Sequence, residues 1–412
     1  MREPIQFIHA ADLHLDSPFI GLKHLPARIV EILRESTFEA FSRLVTFAIN
    51  RRVNFILLSG DLYDEADRSL KAQLKLKKEF ERLKIANIDV YVIHGNHDHM
   101  GGQWLELEWP SNVHVFSSSK VEMKTYKKGE IPAANIYGYS YPTRVVQENI
   151  STYFEKSPHS SVYHIGMLHG SIEGDVEHDV YCPFKLKDLI AKDFDYWALG
   201  HIHKRQILHE DPLILYPGNI QGRNRKEVGE KGFYLVELTE TSSQATFHSV
   251  EEVIWEKATL SINEETTLTM LIHQFEEYIE KIRMRNKSTL LSFEVIGAGD
   301  LSASLSSQQT IEDLIDTLND AESDQVPFIW VVKIQNHTTL QQKENHELSS
   351  FFADLSKTAA DFDTYNKSLE PLEQHPLYRK YINQFTVEER KQLLIKAERL
   401  LHQELLQHSG VK

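Results

Sequence analysis

Short apolar runs rich in β-branched and aromatic residues alternate with longer stretches of helical period along the first ~250 residues. Ile5–His9 predicts a strand. Ala27–Asn50 predicts a helix with apolar residues at Val30, Leu33, Phe41, Leu44, Val45 and Ala48. Asn54–Ser59 is a continuous apolar run of the kind buried on both faces of a sheet. A charged helix around Leu70–Leu83 follows. Further strands are expected at Asp89–Ile93, Val113–Phe116, Asn135–Gly138, Val162–Leu168, Tyr196–Leu199, Leu213–Tyr216 and Gly232–Leu238. This order predicts an α/β fold, with a layered mixed-sheet domain over residues 1–255.

The alternation restarts over residues 256–342. Strands at Ala258–Ile262, Thr289–Ile296 and Pro327–Ile334 are separated by a helix at Thr267–Arg283 and another from Thr310. This reads as a small α/β capping domain. Residues 343–412 are polar and helical in pattern, a C-terminal region suited to docking a partner. Its last helix, Thr386–Gln407, opens on a capping box (Thr386, Glu389) and carries Leu394, Ala397, Leu401 and Leu405 on one side. Such a stripe serves simple packing or helix-in-groove docking.

Composition narrows the class. With 41% apolar and 25% charged residues the chain is neither collagenous nor low-complexity. No apolar run approaches the ~18–20 residues of a membrane span. Met1-Arg2-Glu3-Pro4 leads straight into the first strand pattern without the apolar core of a signal peptide. The one cysteine, Cys182, cannot form an intramolecular disulfide, and these features together predict a cytoplasmic protein. The net charge of −15 divides into −4 over residues 1–250 and −11 over 251–412. An acidic chain gains little from counterion release on nucleic acid, so such a substrate needs a metal site, a local basic patch or a partner.

The 21 histidines cluster at the ends of apolar runs. Five segments place hard or imidazole ligands just past a strand's carboxyl end, where open α/β sheets build their sites. They are Asp12-Leu13-His14, Gly60-Asp61-Leu62-Tyr63-Asp64, Gly95-Asn96-His97-Asp98, His169-Gly170 and Gly200-His201-Ile202-His203. The i, i+2 spacing of Asp12/His14 and of His201/His203 turns each pair to one side of an extended segment. Carboxylates, imidazoles and an amide carbonyl, with no thiolate, suit divalent Mn, Fe or Zn. Seven ligands are too many for one catalytic ion and about right for two sharing a bridging carboxylate, an arrangement suited to phosphoester hydrolysis.

This order of motifs resembles the calcineurin-like metallophosphoesterase superfamily over about residues 7–220. Length, cap and helical tail resemble the SbcD-type DNA-repair nucleases. Ala10–Phe19 and Tyr216–Arg223 are similar to the YhaO-like branch, described as DNA-repair exonuclease family proteins. The resemblance implies that Asp12, His14 and His203 hold one ion, that Asn96, His169 and His201 hold the other, and that Asp61 bridges them. The ions would be Mn²⁺ by preference, with Fe²⁺, Mg²⁺ or Zn²⁺ as alternatives. His97 would protonate or stabilise the leaving oxygen, and Asp98 would orient His97. Asp64 stands where archaeal and eukaryotic relatives carry a second catalytic histidine, though SbcD-type proteins also show aspartate there. Asp16 replaces a glycine common among relatives.

The implied activity is DNA phosphodiester hydrolysis in repair or recombination, as an exonuclease, with the choice between exonuclease and endonuclease action left open by the motifs. The implied partners are DNA, an SMC-like ATPase of the SbcC or YhaN type, and a second copy in a homodimer, with no membrane. Two other readings share the motifs: a phosphatase or phosphodiesterase for small phosphoesters, and a non-catalytic regulator of an ATPase. Arg223 and Arg225, with Lys226, form the basic cluster nearest the last motif and are candidates for substrate binding. Lys281, Arg283, Arg285 and Lys287 form a second run, at a helix end where basic residues belong anyway. His9, His94, His99, His164, His178 and His209 flank the motifs at the wrong offsets and read as structural, though His99 and His178 are placed to touch substrate.

Overall fold

The computed structural model describes residues 2–340 apart from 20, 21, 23, 24, 65–67, 103, 106, 159–161 and 175–180, with isolated positions beyond 340. The expected tail helix Thr386–Gln407 and the rest of 343–412 lie, those isolated positions aside, outside the described residues. Two compact units make up the described chain. The first takes 2–258, Ile279–Ser292 and Leu318–Lys333; the second takes Thr259–Tyr278, Phe293–Thr317 and the described residues from Ile334 on.

In chain order the strands are β1 (Ile5–Ala10), β2 (Phe55–Ser59), β3 (Asp89–Ile93), β4 (Val113–Val115), β5 (Glu122–Lys128), β6 (Ile131–Gly138), β7 (Tyr163–His169) and β8 (Tyr196–Gly200). After these come β9 (Gln206–Glu210), β10 (Leu213–Tyr216), β11 (Gly232–Leu238), β12 (Ser243–Ser249), β13 (Val253–Ile262), β14 (Ser288–Gly297) and β15 (Ile329–Asn336). The helices are α1 (Ala27–Arg51), α2 (Leu70–Ile85), α3 (Leu186–Ile190), α4 (Leu268–Arg283), α5 (Leu301–Leu305) and α6 (Gln308–Asn319).

Two six-stranded sheets, β12-β11-β1-β2-β3-β4 and β5-β6-β7-β8-β10-β9, form the body of the first unit; β13-β14-β15 form a third. In each large sheet four strands run parallel (β1-β2-β3-β4 and β6-β7-β8-β10), and antiparallel strands flank them. Successive residues of a strand face opposite sides. Phe7, Phe55, Leu57 and Tyr91 therefore meet Ile136, Ile165, Met167 and Tyr196 between the sheets. Ile8, Ile56 and Leu58 instead turn outward against Phe41, Leu44, Leu76 and Phe80 of α1 and α2. Leu168, Trp197 and Leu199 pack with Phe154, Phe184 and Leu189 on the far face of the second sheet. The result is helix on sheet on sheet, a layered mixed α/β fold.

The sequence pattern missed β5, β9 and β12. Each is the outermost strand of its sheet, with mostly exposed or half-buried residues. An edge strand lacks the apolar run that announces a central one. Among the described residues no helix is long and apolar enough to cross a membrane. Three members of the second basic run are ion-paired: Arg283 with Glu280 and Glu322, Arg285 with Glu256, and Lys287 with Glu251.

His9 shows how the sheet interface is locked. It is fully buried, with Nδ1 2.8 Å from the Tyr196 hydroxyl and Nε2 3.0 Å from the Leu199 carbonyl. A carbonyl only accepts, so Nε2 carries the proton and the ring is neutral. Burial lowers its pKa to about 3, against the Leu199 bond that raises it. A lowered histidine favours the folded state above its unfolded value near 6.5, and that contribution fades as pH falls toward 3. Between pH 7.5 and 5.0 the protein should lose about 2 kcal/mol through this one group. Urea unfolding of the wild type and His9→Gln at both pH values checks this, the variant showing the smaller loss.

Candidate metal centre

The five ligand-bearing segments converge because parallel strands of both sheets end at one place. Asp12 and His14 follow β1, Asp61 and Asp64 follow β2, Asn96 and His97 follow β3, His169 closes β7, and His201 and His203 follow β8. Backbone bonds tie the ends together: Asp12 N–H to the Gly60 carbonyl at 3.1 Å, His14 N–H to Asp61 at 3.0 Å, and Gly170 N–H to Gly200 at 3.1 Å. The two sheets are joined where His201 N–H donates to the Asp12 carboxylate at 3.1 and 3.2 Å. Asp12, His14, Asp61 and His201 all have positive φ (52°, 42°, 51° and 100°). A non-glycine residue held there costs on the order of 1–3 kcal/mol, and such strain gathers at functional sites.

Asp61 sits at the centre, 1% exposed. Its Oδ2 is 3.4 Å from His169 Nε2 and 3.8 Å from His14 Nε2, and its Oδ1 accepts the His97 backbone N–H at 2.9 Å. Burial opposes its ionisation, but His169, His14 and His97 hold the carboxyl well below the usual range. Burial likewise opposes charge on His169, yet Asp61 and Asp12 raise that imidazole to about 9. Two glycines make this approach feasible. A Cβ at Gly95 would lie 2.4 Å from Asp61 Oδ1 and 2.6 Å from His169 Nε2, and one at Gly60 (φ +93°) would lie 2.3 Å from His169 Nδ1.

The donor set fits divalent cations. His169 Nδ1–H donates to the Ser59 carbonyl at 2.9 Å, so Nε2, 3.0 Å from Asn96 Oδ1 and beside Asp61, is the nitrogen that would give up its proton to a cation. His201 Nδ1 is 3.2 Å from the same Asn96 oxygen. Across the site, His14 Nε2 and His203 Nε2 face each other at 3.0 Å. His203 Nδ1 is 2.8 Å from Glu227 Oε1, so its Nε2 also offers a lone pair. Burial and Arg223 lower His14 to about 3 against the pull of Asp64, which keeps it in the neutral, ligating form. Donor atoms converging in this way suit a cation between them, since bonds of ~2.0–2.2 Å to one ion leave neighbouring donors about this far apart. Asp12–His14–His203 and Asp12–Asp61–His169 each bring their ligand atoms within 4.8 Å of one another.

The family model for calcineurin-like phosphoesterases matches residues 5–205. Metallophosphoesterase YhaO of Bacillus subtilis (strain 168) is 42% identical over 408 residues, covering 98% of this chain and 99% of that one. The chain belongs to the calcineurin-like metallophosphoesterases. It is also similar to two proteins named DNA double-strand break repair protein Mre11. That of Sulfurisphaera tokodaii is 26% identical over 68% of each chain, and that of Sulfolobus acidocaldarius 23% identical over 87% of this chain and 90% of the other. The metallophosphoesterase family is one of metal-dependent phosphoester hydrolases that use two divalent ions, and the residue range matched by the family model contains all five segments gathered here.

Around this metallophosphoesterase centre the remaining expected residues fall unevenly. His97 lines a cavity of about 920 Å³ with Asp61, Asn96, His201 and His203. Asp98 does not orient it. Asp98 is fully buried and accepts from Leu62 N–H (2.9 Å) and Gly95 N–H (2.8 Å), with His94 Nδ1 at 2.9 Å, so it holds the two ligand loops together. The Asp64 backbone carbonyl takes His97 Nδ1–H instead, at 2.7 Å. Asp64 is no proton donor: burial opposes its charge, but His14 and Arg223 hold its carboxyl far below the usual range. Arg223 lines the cavity and is paired to Asp64. Arg225 is exposed and is not among the lining residues, whereas Arg144, Lys204, Lys226 and Lys231 are. His178 lies outside the described residues; His99 accepts from Gly101 N–H at 3.2 Å in its own loop.

Glu227 escaped sequence reasoning. Besides His203 it accepts from Asn219 Nδ2 at 2.9 Å and Arg223 N–H at 2.7 Å, and these partners keep it ionised despite burial. Only the closing of the loop after β10 brings it to the metal centre, so no spacing announces it. Glu227→Gln weakens the hold on His203 and should lower divalent-ion affinity about 10–100-fold. Calorimetric titration of Mn²⁺ into the metal-free protein measures this; unchanged affinity would show that Glu227 does not orient the ligand.

Proposed function

We propose that this metallophosphoesterase hydrolyses DNA phosphodiester bonds, as an exonuclease in repair or recombination, with Mn²⁺ as its working ion. The observation that carries the reading is the cavity wall beside the ligands. On a chain of net charge −15 the cavity gathers Arg144, Lys204, Arg223, Lys226 and Lys231 around His97. A polyanion's affinity comes chiefly from phosphate contacts, and Arg144, Lys204 and Lys226 bring positive charge to this wall beside Arg223, which is paired to Asp64, and Lys231, which holds the His203 carbonyl. The names of the Mre11 relatives support the same substrate.

Asp12, His14 and His203 would hold one ion, Asn96, His169 and His201 the other, with Asp61 shared. Two such ions lower the pKa of a shared water and offset the charge that builds on phosphoryl oxygens. The chain's own residues do the rest. His97 keeps Nδ1–H on the Asp64 carbonyl, so that as the imidazolium it would hold a second proton on Nε2 and give that one to the departing 3′ or 5′ oxygen. Lys231 Nζ donates to the His203 carbonyl at 3.1 Å and steadies that ligand from below. The polar region 343–412 would dock an SMC-like ATPase, and a second copy of the chain would complete a homodimer.

End-labelled duplex and single-stranded DNA, incubated with Mn²⁺ beside a chromogenic phosphodiester, test this reading. DNA should be cut, with His97→Ala slowed roughly 10²–10⁴-fold while keeping both ions, and Asp61→Ala inactive and short of metal. Turnover of the chromogen with all DNA intact would replace the nuclease by an enzyme of small phosphoesters.

A further inference from the structure

We propose that Asp64 is a positioning residue that fixes Arg223 and His97 on one wall of the cavity, and that Arg223 grips the phosphoryl oxygens of the substrate through its Nε–Nη2 edge. The proposal rests on the phosphoester reading of the site but not on DNA as the substrate.

A guanidinium carries five N–H donors in one plane. Arg223 spends Nη1 on Ser17 Oγ, at 2.9 Å, and on the Asp64 carboxylate. Its Nε is buried without a partner, and no described residue accepts from Nη2. A buried, charged donor left unpaired is unfavourable, so this edge is built for an acceptor that arrives from outside. Two oxygens of one phosphoryl group match the spacing of that edge, a fit that Lys cannot reproduce. The guanidinium lines the same cavity as His97 and the candidate ligands Asp61 and Asn96, so a phosphoryl group drawn to ions on those two ligands would enter the cavity that Arg223 lines.

Asp64 is what joins the parts. Its carboxylate takes Arg223 and lies 3.0 Å from His14 Nδ1, while its carbonyl takes His97 Nδ1–H at 2.7 Å. It stands three residues after Asp61 in the same loop, so arginine, acid and candidate ligand are registered against one short stretch of backbone.

Binding of inorganic phosphate to the Mn²⁺-loaded protein, followed by calorimetry, tests this. Wild type, Arg223→Ala, Arg223→Lys, Asp64→Asn and the Asp64→Asn/Arg223→Ala double variant are compared, each assayed for two bound ions. Arg223→Ala should bind phosphate roughly 10–100-fold more weakly with both ions kept, and lysine should recover only a minor part. The double variant should bind no more weakly than Arg223→Ala alone, because asparagine keeps the backbone carbonyl that holds His97 and the lost carboxylate reaches phosphate only through the arginine. Wild-type affinity in Arg223→Ala, additive losses in the double variant, or loss of the ions from Arg223→Ala would each overturn the proposal. Phosphate is the product of no particular diester, so a failure of DNA cleavage leaves this test intact.

Discussion

A fully buried carboxylate at the carboxyl end of β2 is the constraint on which the rest of the structure turns. A charge withdrawn from water is tolerated only when it is paired and hydrogen-bonded on every side. Asp61 meets part of that demand with the His97 backbone N–H and the His169 imidazole. To close around it, the chain gives up side chains at Gly60 and Gly95 and accepts left-handed backbone at Asp12, His14, Asp61 and His201. Those features would be a liability in a purely structural loop. They are coherent if divalent ions complete the cluster and reward the geometry that the backbone opposes.

The two-sheet architecture makes such a cluster possible. Four parallel strands in each large sheet deliver their carboxyl ends to the same end of the sandwich, and bonds such as His201 N–H to Asp12 and His169 Nδ1–H to Ser59 stitch one sheet to the other. Ligand position is thereby set by a packed aromatic and aliphatic interior rather than by flexible loops. The surrounding acceptors (the Ser59 carbonyl, the Asp64 carbonyl and Glu227) each fix a tautomer, so His169 Nε2, His97 Nε2 and His203 Nε2 are the nitrogens left for chemistry.

Much of this was legible in the sequence, for identifiable reasons. The central strands are buried on both faces and therefore read as apolar runs, and ligands at strand ends stand out as hard residues interrupting them. The edge strands β5, β9 and β12 were illegible because half-exposed strands carry mixed residues. Asp98 misled because adjacency to His97 in sequence suggested contact, whereas the turn from His94 to Asp98 folds the carboxylate back onto His94 and Gly95. Arg225 shares a cluster with Arg223 in sequence but is not among the residues lining the cavity, while Arg144, distant in sequence, is. Glu227 had no signal at all, since its role depends on a loop closure that only the fold supplies.

The central claim is that Asp61 is shared by two ions, each with its own set of donors. Crystals grown with Mn²⁺ and measured at the manganese absorption edge test it most directly. The account predicts two anomalous peaks per chain, one against Asp12, His14 and His203, the other against Asn96, His169 and His201, with Asp61 touching both. A single peak, or peaks that leave Asp61 without a contact to either ion, would contradict it.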